Sequence, residues 1–201
     1  MAFEYGCFIS HVHAREEMMQ EFMASLIPAL KGELEPMVGQ GVYIDHERLG
    51  PGFKHEPALG SGICASACWI VVYVPQYSEH DYCMREFRAM QMLEERRRQA
   101  LGRKLPPEMG MILPIVLRGT KDELPPGLAK SIYLEFTKFT VASPKISTNE
   151  ATMEEIRKLA QYVREIYKLG SHLSEDCSQF ELPPPGGGSS FNPADPQFPG
   201  P

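Results

Sequence analysis

Three observations predict an α/β chain built on a mainly parallel sheet. Short apolar, β-rich runs alternate with longer segments of helical periodicity as far as about residue 170. The run Cys68-Trp69-Ile70-Val71-Val72-Tyr73-Val74 is apolar at every position, which suits a strand covered on both faces by helices. Of the 18 Pro and 17 Gly in the 201 residues, 7 Pro and 4 Gly fall in the last 21, ELPPPGGGSSFNPADPQFPGP, whose composition cannot offset its ordering entropy. The expected organisation is one folded domain over residues 1–170, enough for a single core, and a Pro/Gly-rich disordered tail or linker over 171–201.

The elements follow in order. Tyr5-Gly6-Cys7-Phe8-Ile9-Ser10 reads as a buried strand. Residues 14–34 place Met18, Phe22, Leu26 and Leu30 on one helix face. Gly39 and Gly41 break the chain, and Val42-Tyr43-Ile44-Asp45 is a second short strand. A short helix is expected over 58–65, then the apolar central strand, which Pro75 ends. Residues 82–100 form a helix with Phe87, Met90 and Leu93 inward and a basic end at Arg96-Arg97-Arg98, which suits the macrodipole and reads as a solvated helix end. Residues 112–117 are a fourth strand, in which Pro114 implies an edge or an irregularity. Residues 132–136 are a fifth. Residues 152–169 form a last amphipathic helix on Ile156, Leu159, Val163 and Ile166, with Thr152 and Glu155 spaced as a capping box.

Composition and missing motifs narrow the function. A net charge of −6 argues against a direct nucleic-acid or anionic-membrane partner. No apolar run is long enough to span a bilayer, and no secretory pattern opens the chain. The expected location is therefore cytoplasmic, with the five cysteines as reduced thiols. Cys64 and Cys68 form a C-x3-C pair without a second cluster at zinc-ligand spacing, so no metal site is expected. Neither G-x-G-x-x-G, nor a P-loop, nor a G-x-S-x-G elbow in its strand–helix context occurs.

In open parallel sheets ligands bind beyond the carboxyl ends of the strands. Here those ends are residues 10–13, 45–54 and 75–86, three polar loops expected on one edge. Glu86 lies there, beside Tyr82 and Trp69 on this reading. It is either a partly desolvated acid–base or charge-stabilising carboxylate, or a residue that favours the helix N-terminal dipole. His11, His13 and Asp45 either line a polar pocket or are solvated loop groups. Phe53 and Tyr82 either stack on an aromatic ligand or cap the core. Cys83 stands near a helix N-terminus, a position that can lower a thiol pKa.

Taken in order, these segments resemble the Toll/interleukin-1 receptor (TIR) domain. Phe8-Ile9-Ser10-His11 resembles the family's first-strand box. Val42-Tyr43-Ile44-Asp45 with Arg48-Leu49-Gly50-Pro51-Gly52 resembles its second strand and BB loop. Ala65 to Val74 resembles the central strand, Pro75-Gln76-Tyr77 and Asp81-Tyr82-Cys83-Met84-Arg85-Glu86 the P-x-Y and W-C-x-x-E boxes, Ile112-Leu113-Pro114-Ile115 the fourth strand, and Leu124-Pro125-Pro126 the later turn. The resemblance implies a flavodoxin-like three-layer α/β/α fold with a mainly parallel five-stranded sheet.

What the resemblance implies for function divides in two. Some TIR domains cleave NAD+ at the nicotinamide–ribose bond, as NAD+ glycohydrolases or ADP-ribosyl cyclases. Others are non-enzymatic modules that act through TIR–TIR contacts. The enzymes rely on the glutamate of W-C-x-x-E, which corresponds to Glu86. By the same resemblance the substrate contacts are Ser10, His11, His13, Asp45, Arg48, Phe53, Lys54 and Tyr82, the last replacing the usual Trp. Leu49, Gly50, Pro51 and Gly52 form the BB-loop contact surface. NAD+ is then a substrate, no resident cofactor is needed, and the partners are further TIR domains and a separate effector or sensor. The nearest functional analogy is the bacterial antiphage TIR protein, activated by assembly.

Overall fold

A computed structural model of the chain describes residues 3–13, 16–44 and 55–185. Five strands, β1 (Tyr5–His11), β2 (Val42–Tyr43), β3 (Ser66–Tyr73), β4 (Ile112–Val116) and β5 (Leu134–Glu135), form one sheet. Its order is β2-β1-β3-β4-β5 and every pairing is parallel. This is the flavodoxin-like doubly wound order. The long helices are α1 (Glu17–Val38), α2 (His55–Cys64), α3 (Asp81–Leu101) and, after a one-turn helix α4 (Pro126–Ala129), α5 (Glu150–Gly170). α1 packs on α5, and α2 packs on α3. Right-handed crossovers require this split: the chain leaves β1 in one direction along the sheet and leaves β2 and β3 in the other.

The apolar central run is what it promised to be. All eight residues of β3 are buried, with β1 on one side in the register Ser10↔Val71 and β4 on the other in the register Ile70↔Leu113. The expected irregularity at Pro114 has a simple basis. β5 pairs only with Ile115 and Val116, so the first half of β4 has a neighbour on one side alone and tolerates a residue without an N–H. No helix among the described residues is long and apolar enough to cross a membrane.

Helix ends differ from the sequence reading where several caps compete. α1 runs on through Pro28 and Pro36 to Gly39, which stops it in the left-handed conformation at φ 68° and donates its N–H to Glu35 O. α5 starts two residues early, at Glu150. Asn149 Oδ1 accepts from Thr152 N, so Asn149, and not Thr152 with Glu155, is the cap.

Three further expectations are corrected. Packed structure continues beyond residue 170 to 185: Leu182 is buried, and Pro183 O accepts a 2.7 Å hydrogen bond from Arg85 Nε. The rest of the expected tail, 186–201, lies outside the described residues. The thiols are not all reduced, because Cys64 at the end of α2 forms a disulfide with Cys177. Nor are the three arginines ending α3 a solvated group. Arg96 is exposed, Arg98 donates to Met109 O, and Arg97 is wholly buried. The physical reason is the helical stripe Cys83, Phe87, Met90, Leu93, whose next inward position is 97.

Candidate functional site

The doubly wound order has a switch point between β1 and β3, where successive connections leave in opposite directions, the place at which such sheets bind ligands beyond the carboxyl ends. Three elements supply it with side chains. β1 ends in Ser10 and His11, both buried. A 3-10 turn at Pro75–Ser78 follows β3 and is closed by Tyr77 N donating to Val74 O at 2.8 Å. α3 then presents Tyr82, Cys83 and Glu86 in its first two turns.

Glu86 sits on the inward stripe of α3 with 3% of its surface exposed. Ser10 Oγ donates a short hydrogen bond to its Oε2, and the Tyr77 hydroxyl lies 2.7 Å from Ser10 Oγ. The Cys83 thiol donates to His11 O at 3.7 Å, tying the first turn of α3 to the end of β1. The His11 and His13 rings stand 4.6 Å apart, and Tyr82 is half-buried against the core. Burial, then the charge of Glu86 and the Cys83 thiol, pushes the Tyr77 phenol well up. Burial first and Glu86 second push the Cys83 thiol up to about 12, against the lowering that a helix N-terminus can produce. Cys83 is a buried thiol packed against the end of β1.

Two further parts of the sequence reading change. Trp69 is not a neighbour of Glu86: its indole N–H donates to Ile63 O at 2.8 Å and its ring faces Arg97. Arg97 is eleven residues further along α3, about 16 Å at the helical rise. Ser10, His11, His13, Tyr82 and Glu86 are brought to one sheet edge. Asp45, Arg48, Leu49, Gly50, Pro51, Gly52, Phe53 and Lys54 lie outside the described residues. Arg85, next to Glu86, points the other way, to Glu56 Oε1 at 2.6 Å and to Pro183 O.

Sequence reasoning passed over Tyr77 as a site group, although it sits in the quoted P-x-Y segment. The signal was positional, since the first polar ring after the central strand falls opposite the end of β1. Glu86 and Arg97 both fall on the stripe that Phe87, Met90 and Leu93 define, a positional signal that does not by itself separate a buried charge from a solvated one. An open cavity of about 480 Å³ lies at the far edge of the sheet, between β5 and α5, lined by Tyr133, Phe136, Phe139, Ile146 and Glu155. None of its carboxylates is buried, so the chemistry is better sought at the switch point. Among the described residues no group of His, Cys, Asp and Glu is arranged to hold a metal ion.

No family model and no curated protein matches the sequence. Among solved structures, the chain is similar to the TIR domain of the Toll-related receptor TRR-2 from Hydra magnipapillata. The identity is 16% and the TM-score 0.50, over 80% of this chain and 98% of that one. The likeness is one of fold: the chain has the α/β architecture of a TIR domain.

Proposed function

We propose that this chain is a TIR-family NAD+ glycohydrolase or ADP-ribosyl cyclase in which Glu86 is the catalytic carboxylate. The observation that carries the reading is a buried glutamate, hydrogen-bonded from the end of β1, at the switch point of a doubly wound sheet. Burying a charge away from solvent is unfavourable unless it is paired or used. In the reaction the bond from ribose C1′ to the nicotinamide nitrogen breaks, and nicotinamide leaves with the electron pair. The ribosyl cation that develops is stabilised by the negative charge of Glu86, as carboxylates stabilise oxocarbenium centres in glycoside cleavage. Water then adds to C1′ and releases a proton, giving ADP-ribose, or a nucleophile within the same molecule adds and gives a cyclic product. Tyr82 offers a ring for stacking and His11 and His13 polar edges; the family resemblance would add Asp45, Arg48, Phe53 and Lys54, which lie outside the described residues. Self-association through residues 49–52 brings copies together.

The experiment follows nicotinamide release from NAD+ by concentrated or crowded protein, with mass spectrometry of the products. Release is expected, and Glu86→Gln should abolish it. Undiminished release in that variant would remove Glu86 from the mechanism, and intact NAD+ at every protein concentration would remove the enzymatic reading.

A second reading is favoured by the similarity to a domain of a receptor. In it the chain is a non-enzymatic TIR–TIR interaction module. Substitution at Gly52 or Phe53 would then abolish association while Glu86→Gln is silent.

A further inference from the structure

We propose that Ser10 and Tyr77 are positioning residues for Glu86, arranged as a one-directional hydrogen-bond chain from the phenol through the serine hydroxyl to the carboxylate. The inference rests on the reading of Glu86 as the charge-stabilising group. The direction follows from counting protons. An ionised carboxylate only accepts, so the single proton of Ser10 is committed to Glu86 Oε2. Ser10 Oγ then accepts at its other contact, and the donor there is the Tyr77 hydroxyl at 2.7 Å. Tyr77 has none of its surface exposed, and its phenol stays protonated because burial and the neighbouring negative charge both disfavour the phenolate.

Each member stands on a different element, and each element is held independently. Ser10 is clamped in the sheet centre, opposite Val71 of β3. Tyr77 is fixed by its backbone bond to Val74. Glu86 is on a helix whose first turn is tied to His11 by Cys83. A glutamate has three rotatable bonds, and a bond from a rigid strand to one carboxyl oxygen removes most of that freedom before substrate arrives. A donor behind Ser10 polarises the serine hydroxyl and strengthens the bond it makes. Ser10, which the family resemblance implies as a substrate contact, is thereby assigned inward, to the carboxylate.

The test is a set of kinetic constants for nicotinamide release, normalised to folded protein by thermal melts. Ser10→Ala should lower kcat by about tenfold to a hundredfold, the loss of a hydrogen bond to a charged group, with KM within twofold of wild type. Tyr77→Phe should lower kcat by about three- to tenfold, again with KM unmoved. The double variant should be no slower than Ser10→Ala, because Tyr77 acts only through Ser10. A Tyr77→Phe protein with wild-type kcat, effects that multiply in the double variant, or a change confined to KM would each overturn the proposal. The two levels of failure are distinguishable. If Glu86→Gln is inactive while Ser10→Ala and Tyr77→Phe are normal, only the positioning chain falls. If Glu86→Gln is active, or wild type releases nothing, the reading beneath it falls as well.

Discussion

Arg97 and Glu175 form an ion pair 2.7 Å apart inside the protein, with none of the arginine side chain exposed. All five guanidinium N–H groups are used. Nε and Nη2 donate to Glu175 Oε2, Nη2 also to Cys64 O, and Nη1 to Ser66 O and Ala67 O. The rings of Phe3 and Trp69 lie 4.7 and 4.8 Å from its centre. One side chain on α3 thus joins the α2–β3 junction, the N-terminal segment and the segment that follows α5.

Removing the charge at Glu175 leaves a buried cation with neutral partners only. Burial already pulls the Arg97 guanidinium below its ordinary value, and Glu175 opposes that pull. Glu175→Gln should therefore destabilise the protein by about 3 kcal/mol, as does breaking other buried pairs on one side. Chemical denaturation measures it, and a loss below about 0.5 kcal/mol would show that the carbonyls alone suffice for Arg97.

The Cys64–Cys177 bridge closes 113 residues of sequence. A crosslink of that span restricts the unfolded chain by up to about 4–5 kcal/mol on the loop-entropy account. Reduction, or Cys177→Ser, should lower the melting temperature by roughly 10 °C for a domain of this size. Alkylation of the denatured protein should label three cysteines before reduction and five after it. Five adducts without reductant would mean that the bridge is not made.

The three remaining thiols, Cys7, Cys68 and Cys83, are buried. Burial raises all three, Cys83 to about 12, and raises Tyr77 as well. For each group the folded value lies above the unfolded one. Its stabilising contribution is therefore complete below about pH 8.5 and is lost as pH rises toward 12. The denaturation midpoint should fall steadily between pH 9 and 11, and a flat midpoint over that range would contradict the burial of these groups. At pH 8 the native protein should resist a thiol reagent that modifies all three once it is unfolded.

Gly60 on α2 is in van der Waals contact with the C-terminal segment. A Cβ there would overlap the Phe180 carbonyl oxygen, a backbone atom that cannot rotate away. Gly60→Ala should push residues 177–183 off α2 and cost about 1–3 kcal/mol. Hydrogen exchange should show faster exchange in that segment, with β3 unchanged. Protection equal to wild type would show that the segment shifts without loss.

Legibility followed the range of the interactions. β3 was read correctly because seven consecutive apolar residues admit few other interpretations. α3 was placed to within a residue at each end from three apolar positions. The same stripe reaches Glu86 and Arg97, yet a charged residue at an inward position is indistinguishable from a solvated one until its partner is known. The partner of Arg97 lies 78 residues away and that of Glu86 76 residues away. The boundary near residue 170 failed for the same reason. Pro-rich composition describes how poorly a segment makes its own core, and is silent on whether a finished domain offers it a bridging cysteine and a buried cation.

By itself the sequence determined the alternation of elements, the central buried strand, and the sheet edge where a carboxylate would stand. These follow from apolar spacing of two or four residues and from Gly and Pro, which act on the chain within a turn of where they occur. The tertiary structure alone decided that Ser10 faces Glu86 with Tyr77 behind it, that Cys64 meets Cys177, and that Arg97 is sealed in the core. Those pairings depend on strand order and register, and no local pattern carries them, because each half is an ordinary residue until the fold sets the other against it.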